Sequence, residues 1–140
     1  MENLFIREMT IEDYDEVFAL WQITTKRALS DADKKENIEK YLLHNKGMSL
    51  VGMVDGKIIA TVLAGHDGRR GFIHHMAVNP DFRRQGVGKS LAMEADKRIK
   101  EQGIGKTHIF CYKNNELGQP FWKALGFTKR EDMDIFSFDL

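Results

Sequence analysis

The residues best placed to do chemistry lie in one run, Phe72-Ile73-His74-His75-Met76-Ala77-Val78-Asn79-Pro80-Asp81-Phe82-Arg83-Arg84-Gln85-Gly86-Val87-Gly88-Lys89. It reads as a strand, a turn at Asn79-Pro80-Asp81, and a helix that opens on two glycines. The first N–H groups of a helix have no intrahelical partner, and the helix dipole adds roughly half a positive charge there. Such a terminus binds phosphate. Gly86 and Gly88 lack Cβ atoms and would let oxygens approach the main chain. Arg83, Arg84 and Lys89 add positive charge. The run therefore predicts an anion site for a phosphorylated ligand, against the plainer reading of a glycine turn before a solvated surface helix. Two other phosphate loops fail on a required glycine. A Walker A loop ending at Gly88-Lys89-Ser90 would need one at Arg83, and a dinucleotide fingerprint would need one at Leu91.

Proton transfer points to the histidines, of which there are five: His44, His66, His74, His75 and His108. Successive strand residues face opposite ways, so His74 and His75 are expected on opposite faces. Counting back in twos from Val78 puts Met76, His74 and Phe72 on one face. His74 is then a candidate base, against the alternative of a packing histidine, and His75 reads as structural. Opposed directions argue against a paired-histidine metal site, no Cys/His spacing suits zinc, and no metal is expected. Cys111 is the only cysteine, so no intrachain disulfide can form; it is expected to be an ordinary buried strand residue.

The elements that must hold these residues follow from periodicity. Leu4 to Arg7 reads as a strand. Thr10 and Asp13 form a capping signal with Asp in place of Glu, and Tyr14, Val17, Phe18 and Trp21 follow at helical spacing. A polar stretch from Ser30 to Glu36 precedes a second helix with Ile38, Tyr41 and Leu42. Leu50–Val54 and Lys57–Ala64 joined by Asp55-Gly56 predict a hairpin, and Phe72–Val78 a third antiparallel strand. A helix with Val87, Leu91, Ala95 and Ile99 on one face ends near Gly103. Thr107–Tyr112 is expected as a strand, Leu117–Leu125 as a helix, and Met133–Phe138 as a last strand. The fold class is α/β, with a mixed sheet, antiparallel first and parallel across the strand–helix–strand crossover.

The 140 residues suit one domain, residues 1–140, with no linker and only two prolines. Hydrophobic residues are 42% and charged residues 30%, an ordinary globular mix. The 21 basic and 21 acidic side chains cancel, which argues against nucleic acid or an anionic membrane as partner. With no signal-like start and no apolar run of about 18 residues, a soluble, cytoplasmic protein is expected.

Arg83 to Gly88 resembles the Arg/Gln-x-x-Gly-x-Gly/Ala motif of the GNAT (N-acetyltransferase) superfamily, preceded by a similar Met76-Ala77-Val78-Asn79-Pro80. Asn115 stands seven residues before Trp122, and Phe121-Trp122-Lys123-Ala124-Leu125-Gly126-Phe127 resembles the family's later Phe-Tyr-x-x-x-Gly-Phe segment. The resemblance spans essentially the whole chain. It implies a GNAT-like fold with acetyl-CoA as co-substrate, bound where the fourth strand splays from the fifth. The backbone of Met76, Ala77 and Val78 would hold the pantetheine arm and polarise the thioester. Arg83, Arg84, Gln85, Gly86, Val87, Gly88, Lys89 and Ser90 would surround the pyrophosphate, with Asn115 and Trp122 along the arm.

The resemblance also implies a primary amine as acceptor, on a small molecule or a protein, attacking directly in a ternary complex, and it is compatible with a homodimer. One family member carries a histidine pair on the matching strand face; His74 stands at one of those positions and Phe72 at the other. Trp122 departs from the family, whose tyrosine there acts as the acid for the leaving thiolate; an indole N–H cannot. Tyr112 is the candidate substitute, against a packing role. For Asn115 the plainer alternative is a cap on the next helix. Acceptor recognition is expected on the first two helices, Thr24–Glu36 and the turn His66–Arg70. A non-catalytic acyl-CoA-binding sensor or interaction module on the same fold is the alternative.

Overall fold

The computed structural model describes residues 3–140, which fall into two compact units, one up to Phe110 and one from Cys111 onward. The first unit holds a five-stranded sheet in the order β1 (Phe5–Glu8), β2 (Leu50–Val54), β3 (Lys57–His66), β4 (Gly71–Val78), β5 (Thr107–Ile109). The first four strands pair antiparallel and β4–β5 is parallel, the mixed sheet that the order of elements predicts. Among the described residues no helix is long and apolar enough to cross a membrane.

The β2–β3 hairpin turns on Asp55 (φ 51°) and Gly56 (φ 77°), both left-handed as a two-residue link requires. β3 is the central strand and is buried from Ile58 to Gly65. α1 (Tyr14–Thr24) and α2 (Lys35–His44) cover one face; Val17, Leu20, Trp21 and Ile38 meet Val51, Leu63 and Ala77 in a shared core. α3 (Val87–Glu101) covers the other, burying Val87, Leu91, Ala95 and Ile99 as its spacing predicts. A Cβ on Gly71 would stand 2.7 Å from Ile99, so glycine there lets α3 approach β4.

β4 departs from simple alternation. Thr61 pairs with Ala77, but Leu63 pairs with His74, so β4 carries one more residue than β3 across this step. The extra residue makes a bulge at His75, whose φ is +46°. The expectation that Met76, His74 and Phe72 share a face is therefore corrected. Phe72 and His74 face α2, their rings 6.3 Å apart and His74 6.3 Å from Tyr41. Val78 pairs with Ala60, which lies on the α3 face beside Gly52 and Leu91. His75 faces α1, stacked on Trp21 at 4.3 Å. Both histidines thus lie on the side of α1 and α2, because an inserted residue resets the two-residue period.

Two further expectations are corrected. β5 ends at Ile109 rather than Tyr112, because the Tyr112 carbonyl accepts the Asn115 amide (3.1 Å) and the Gln119 side chain (2.9 Å) in a turn. Cys111 is accordingly half-buried and beyond the strand, near Gln119 Nε2. Met133–Phe138 is not a strand in the structure: the alternating side chains are present, but no ladder partner among the described residues pairs with them.

Candidate active site

β4, the loop after it and the start of α3 form one continuous feature. β5 pairs only with Gly71–Ile73, so from His74 to Val78 the outer edge of β4 has no strand beside it among the described residues. That edge presents main-chain groups with no strand partner to an extended ligand, although the Val78 carbonyl is taken by Arg83. β4 continues for five residues past its last pairing with β5.

The loop is held to the strand end by its own chemistry. Asn79 Oδ1 accepts the Asp81 amide (2.9 Å), starting a single tight turn over Pro80–Phe82. Arg83 Nε donates to the Val78 carbonyl at 3.2 Å, so this guanidinium braces the loop against β4. Arg84 (φ 63°) and Gly86 (φ 79°) are both left-handed, a conformation that costs about 1–2 kcal/mol at a residue with a Cβ. A Cβ on Gly86 would meet nothing within 4 Å. The glycine is required by its φ, and the space before it is open to a ligand.

The first intrahelical amide of α3 is that of Ser90, donating to Gly86 O at 3.0 Å. The amides of Val87, Gly88 and Lys89 precede it, and no side chain caps them. Arg84, Gln85 and Lys89 are exposed around this terminus, while Val87 and Gly88 are buried. Three uncapped amides with exposed cations fit a diphosphate. Among the described residues no cluster of three or more His, Cys, Asp or Glu is arranged for a metal ion.

Beside β4, on the α2 side, lies a cleft of about 500 Å³, within the size range of small-molecule sites. Tyr41, His44 and Asn45 line one wall, His66 and Asp67 the rim, and Phe72 and His74 the floor. Gly65 is demanded by its neighbour: a Cβ there would fall 2.4 Å from the Asn45 carboxamide, whose Oδ1 accepts the His66 amide at 3.0 Å. Burial pushes the His74 imidazole below its ordinary pKa, the nearby His75 adds to this, and Asp33 opposes it. A histidine so placed is neutral near pH 7 and able to accept a proton. Tyr14 and Trp21 are not among the lining residues; Trp21 is fully buried, and Tyr14 donates to the Asp33 carbonyl at 2.6 Å.

A second polar cluster underlies the bulge and was not visible in the sequence. Asp33, 6% exposed, places Oδ1 2.9 Å from His75 Nε2. A carboxylate only accepts, so Nε2 carries a proton. His75 Nδ1 lies 3.1 Å from Thr25 Oγ1. From the sheet side, Trp21 Nε1–H donates to Thr61 Oγ1 (2.9 Å), and Thr61 donates to the His75 carbonyl (3.1 Å). Burial would raise the Asp33 carboxyl, but the hydrogen bond and charge of His75 and the Ser30 amide hold it below the usual range. Ser30 to Glu36 reads in the sequence as a solvated charged loop. In the structure Ser30 and Asp33 close a short capped turn that buries this one carboxylate. The only sequence signal was Ser30 three residues before Asp33.

The remaining candidates lie in the second unit. Asn115 Oδ1 accepts the Gly118 amide at 2.8 Å, the capping role at the start of α4 (Gly118–Ala124). Trp122 is 8% exposed and forms the unit's aromatic core with Phe121 (4.8 Å) and Phe127 (5.0 Å). Tyr112 is exposed and belongs to the Cys111–Gln119 turn.

Residues 8–127 match the sequence profile of the acetyltransferase (GNAT) family. The fold agrees with solved acetyltransferase structures. A PaiA N-acetyltransferase from Thermoplasma acidophilum, in complex with coenzyme A, is 20% identical with a TM-score of 0.78, over 94% of this chain and 92% of that one. An aminoglycoside acetyltransferase from an uncultured soil metagenomic sample, in complex with sisomicin, is 19% identical with a TM-score of 0.81, over 99% and 97%. The aminoglycoside acetyltransferase AAC(6')-Iy, in complex with the bisubstrate analogue CoA-S-monomethyl-acetylneamine, is 22% identical with a TM-score of 0.79, over 98% and 99%. The chain belongs to the acetyltransferase (GNAT) family. It is in that sense an N-acetyltransferase, with acetyl-CoA as co-substrate.

Proposed function

We propose that this protein transfers the acetyl group of acetyl-CoA to the primary amine of a small molecule, by direct attack in a ternary complex. The observation that carries this reading is the continuity of β4. Its unpaired edge starts at His74, on the floor of the cleft, and runs to the uncapped amides of α3. An amine in the cleft and a diphosphate at the helix are then joined by one extended strand edge. The two units together would make one N-acetyltransferase domain over residues 1–140, and the protein would work in the cytoplasm.

Acetyl-CoA supplies an activated acyl carbon and a thiolate leaving group. Backbone groups of Met76, Ala77 and Val78 would align the arm and donate to the thioester oxygen as it gains charge. The amides of Val87, Gly88 and Lys89 would hold the diphosphate, with Arg84, Gln85 and Ser90 around it and Arg83 fixing the loop. His74, neutral because it is buried, would take the proton from the attacking amine. An amine of pKa about 10.4 needs such an acceptor at neutral pH. Tyr112 would protonate the leaving sulfur; a thiol of pKa about 8.5 also departs as thiolate, so Trp122 is compatible with turnover. By the family resemblance, Asn115 and Trp122 would also be contacts of the cofactor arm. Small amines are favoured as acceptors by the cleft's size and by the aminoglycoside ligands of the two similar acetyltransferases. A homodimer is part of this reading.

The test is calorimetric titration with acetyl-CoA, using ATP as control, on wild type and Gly86→Arg, followed by turnover on an amine panel. Binding to wild type, loss in the variant and acetylation of at least one amine are expected. Binding without turnover across the panel would instead support a non-catalytic CoA-binding module. No binding by folded wild type would overturn the assignment of the loop.

A further inference from the structure

The cleft beside β4 is built from residues of the unit that ends at Phe110, and its charges differ in how far they are already committed. Asp67 is the one carboxylate among the described residues that line it, and its Oδ1 accepts the amides of Arg69 and Arg70 at 2.8 Å each. The Arg70 and Arg69 amides hold this carboxyl below its ordinary pKa, so its charge serves its own turn. Lys40, by contrast, is in no ion pair among the described residues. His66 Nδ1 accepts the Gly68 amide at 3.0 Å, so the proton of the neutral ring sits on Nε2 as a fixed donor. Burial raises the Tyr41 hydroxyl well above its ordinary pKa and keeps it a donor too. The floor differs in kind. Phe72 and His74 lie nearly parallel (6°) at 6.3 Å, and Tyr41 meets His74 edge-on at 6.3 Å. Such a floor offers ring faces to an apolar or aromatic body.

We propose that this cleft takes an amine that also carries a carboxylate and an apolar body, in chemical class an aromatic or large aliphatic amino acid. The carboxylate meets Lys40 and His66, the apolar body rests on Phe72 and Tyr41, and the amine reaches His74. The uncommitted charge of the lining is positive, so a polycation finds no counter-ion there beyond Asp67 among the described residues. The anion is a carboxylate rather than a phosphate, because the described lining offers a single lysine and no arginine fork. As the identity of an acceptor, this rests on the acetyl-transfer reading; as the ligand class of the cleft, it does not.

The experiment follows amide chemical shifts of the whole chain during titration with phenylalanine, with phenethylamine (the same ring and amine without the carboxylate) and with sisomicin. Saturable shifts at Lys40, His66 and Phe72 are expected with phenylalanine. Its Kd should be about three- to tenfold lower than that of phenethylamine, the worth of a partly exposed charge-assisted contact. That gap should narrow as salt is raised. Sisomicin is expected to bind more weakly than phenylalanine. Lys40→Glu, at an exposed position, should reverse the order of phenylalanine and phenethylamine. Three results would each overturn the proposal: no saturable binding of phenylalanine; phenethylamine or sisomicin bound by wild type as tightly as phenylalanine; or an order that survives Lys40→Glu. The wild-type comparison decides the matter even if the variant folds poorly. Acetylation assays on the same compounds separate the two readings. Phenylalanine bound with this preference but never acetylated upholds the ligand class and removes the acetyl-transfer reading. Phenethylamine and sisomicin acetylated as readily as phenylalanine would do the reverse.

Discussion

His74 and His75 are neighbours in sequence, yet only the first borders the cleft. Were His74 the base, its depressed pKa would set the acid limb of the pH–rate profile: activity rises as the imidazole loses its proton, with an inflection below the ordinary histidine value of about 6.5. His74→Gln is expected to lower kcat/KM by about 10²–10⁴ and to abolish that limb, leaving only the high-pH dependence of the acceptor amine. A variant that keeps the acid limb would remove His74 from catalysis. His75 acts at one remove, through Asp33 and the bulge. Breaking a buried hydrogen-bonded pair in which one partner is charged is worth roughly 1–3 kcal/mol, so Asp33→Asn should lower thermal stability and, by loosening the strand under His74, reduce kcat more than it changes KM. Asp33 has a depressed folded pKa, so its contribution is full above the unfolded value of about 3.9 and is lost as pH falls through the folded one. The stability gap between wild type and Asp33→Asn should therefore persist at pH 6 and narrow only below about pH 4, where the unfolded carboxyl gains its proton. A gap unchanged at low pH would mean that the charge is immaterial.

At the scale of the element, α3 carries both the uncapped amides of the proposed anion site and a buried polar atom with no partner. Asp96 has a buried Oδ1 with no hydrogen-bond partner, and burial raises its pKa, opposed by a hydrogen bond from Thr107. Here the folded carboxyl holds its proton more tightly than the unfolded one, so ionised Asp96 weighs against folding at neutral pH, and the effect fades as pH falls through the folded pKa and is gone below the unfolded one. Asp96→Asn is expected to raise the melting temperature by about 3 °C at pH 7, from roughly 1 kcal/mol of relieved desolvation, and by less at pH 4. A melting temperature lowered at pH 7 would mean that Oδ1 has an unseen partner. The helix itself was legible in the sequence, because four apolar side chains at helical spacing and a glycine with obligatory left-handed φ fix its face and its start. The end of β5 was not. Whether the chain continues as a strand at Phe110 depends on a partner and on the turn that Asn115 and Gln119 impose, neither of which local pattern encodes.

Over the whole molecule, the sequence determined what periodicity, turn chemistry and motif spacing control: an α/β chain, the Asp55-Gly56 hairpin, a mixed sheet, and the loop from Arg83 to Lys89 at a helix start. The hairpin, the helix start and the order of elements each depend on residues close together in the chain, so their signal survives without the fold. Tertiary structure decided three other things. The bulge at His75 turned the face of β4, and Trp21 and Thr25 at the end of α1, Asp33 and Thr61, from three separate places in the chain, satisfy the strained residue. The same convergence took Asp33 out of an apparently solvated stretch and buried it. The segment 133–138, patterned as a strand, remained without a ladder because pairing is a property of two segments and the sequence of one specifies only half of it.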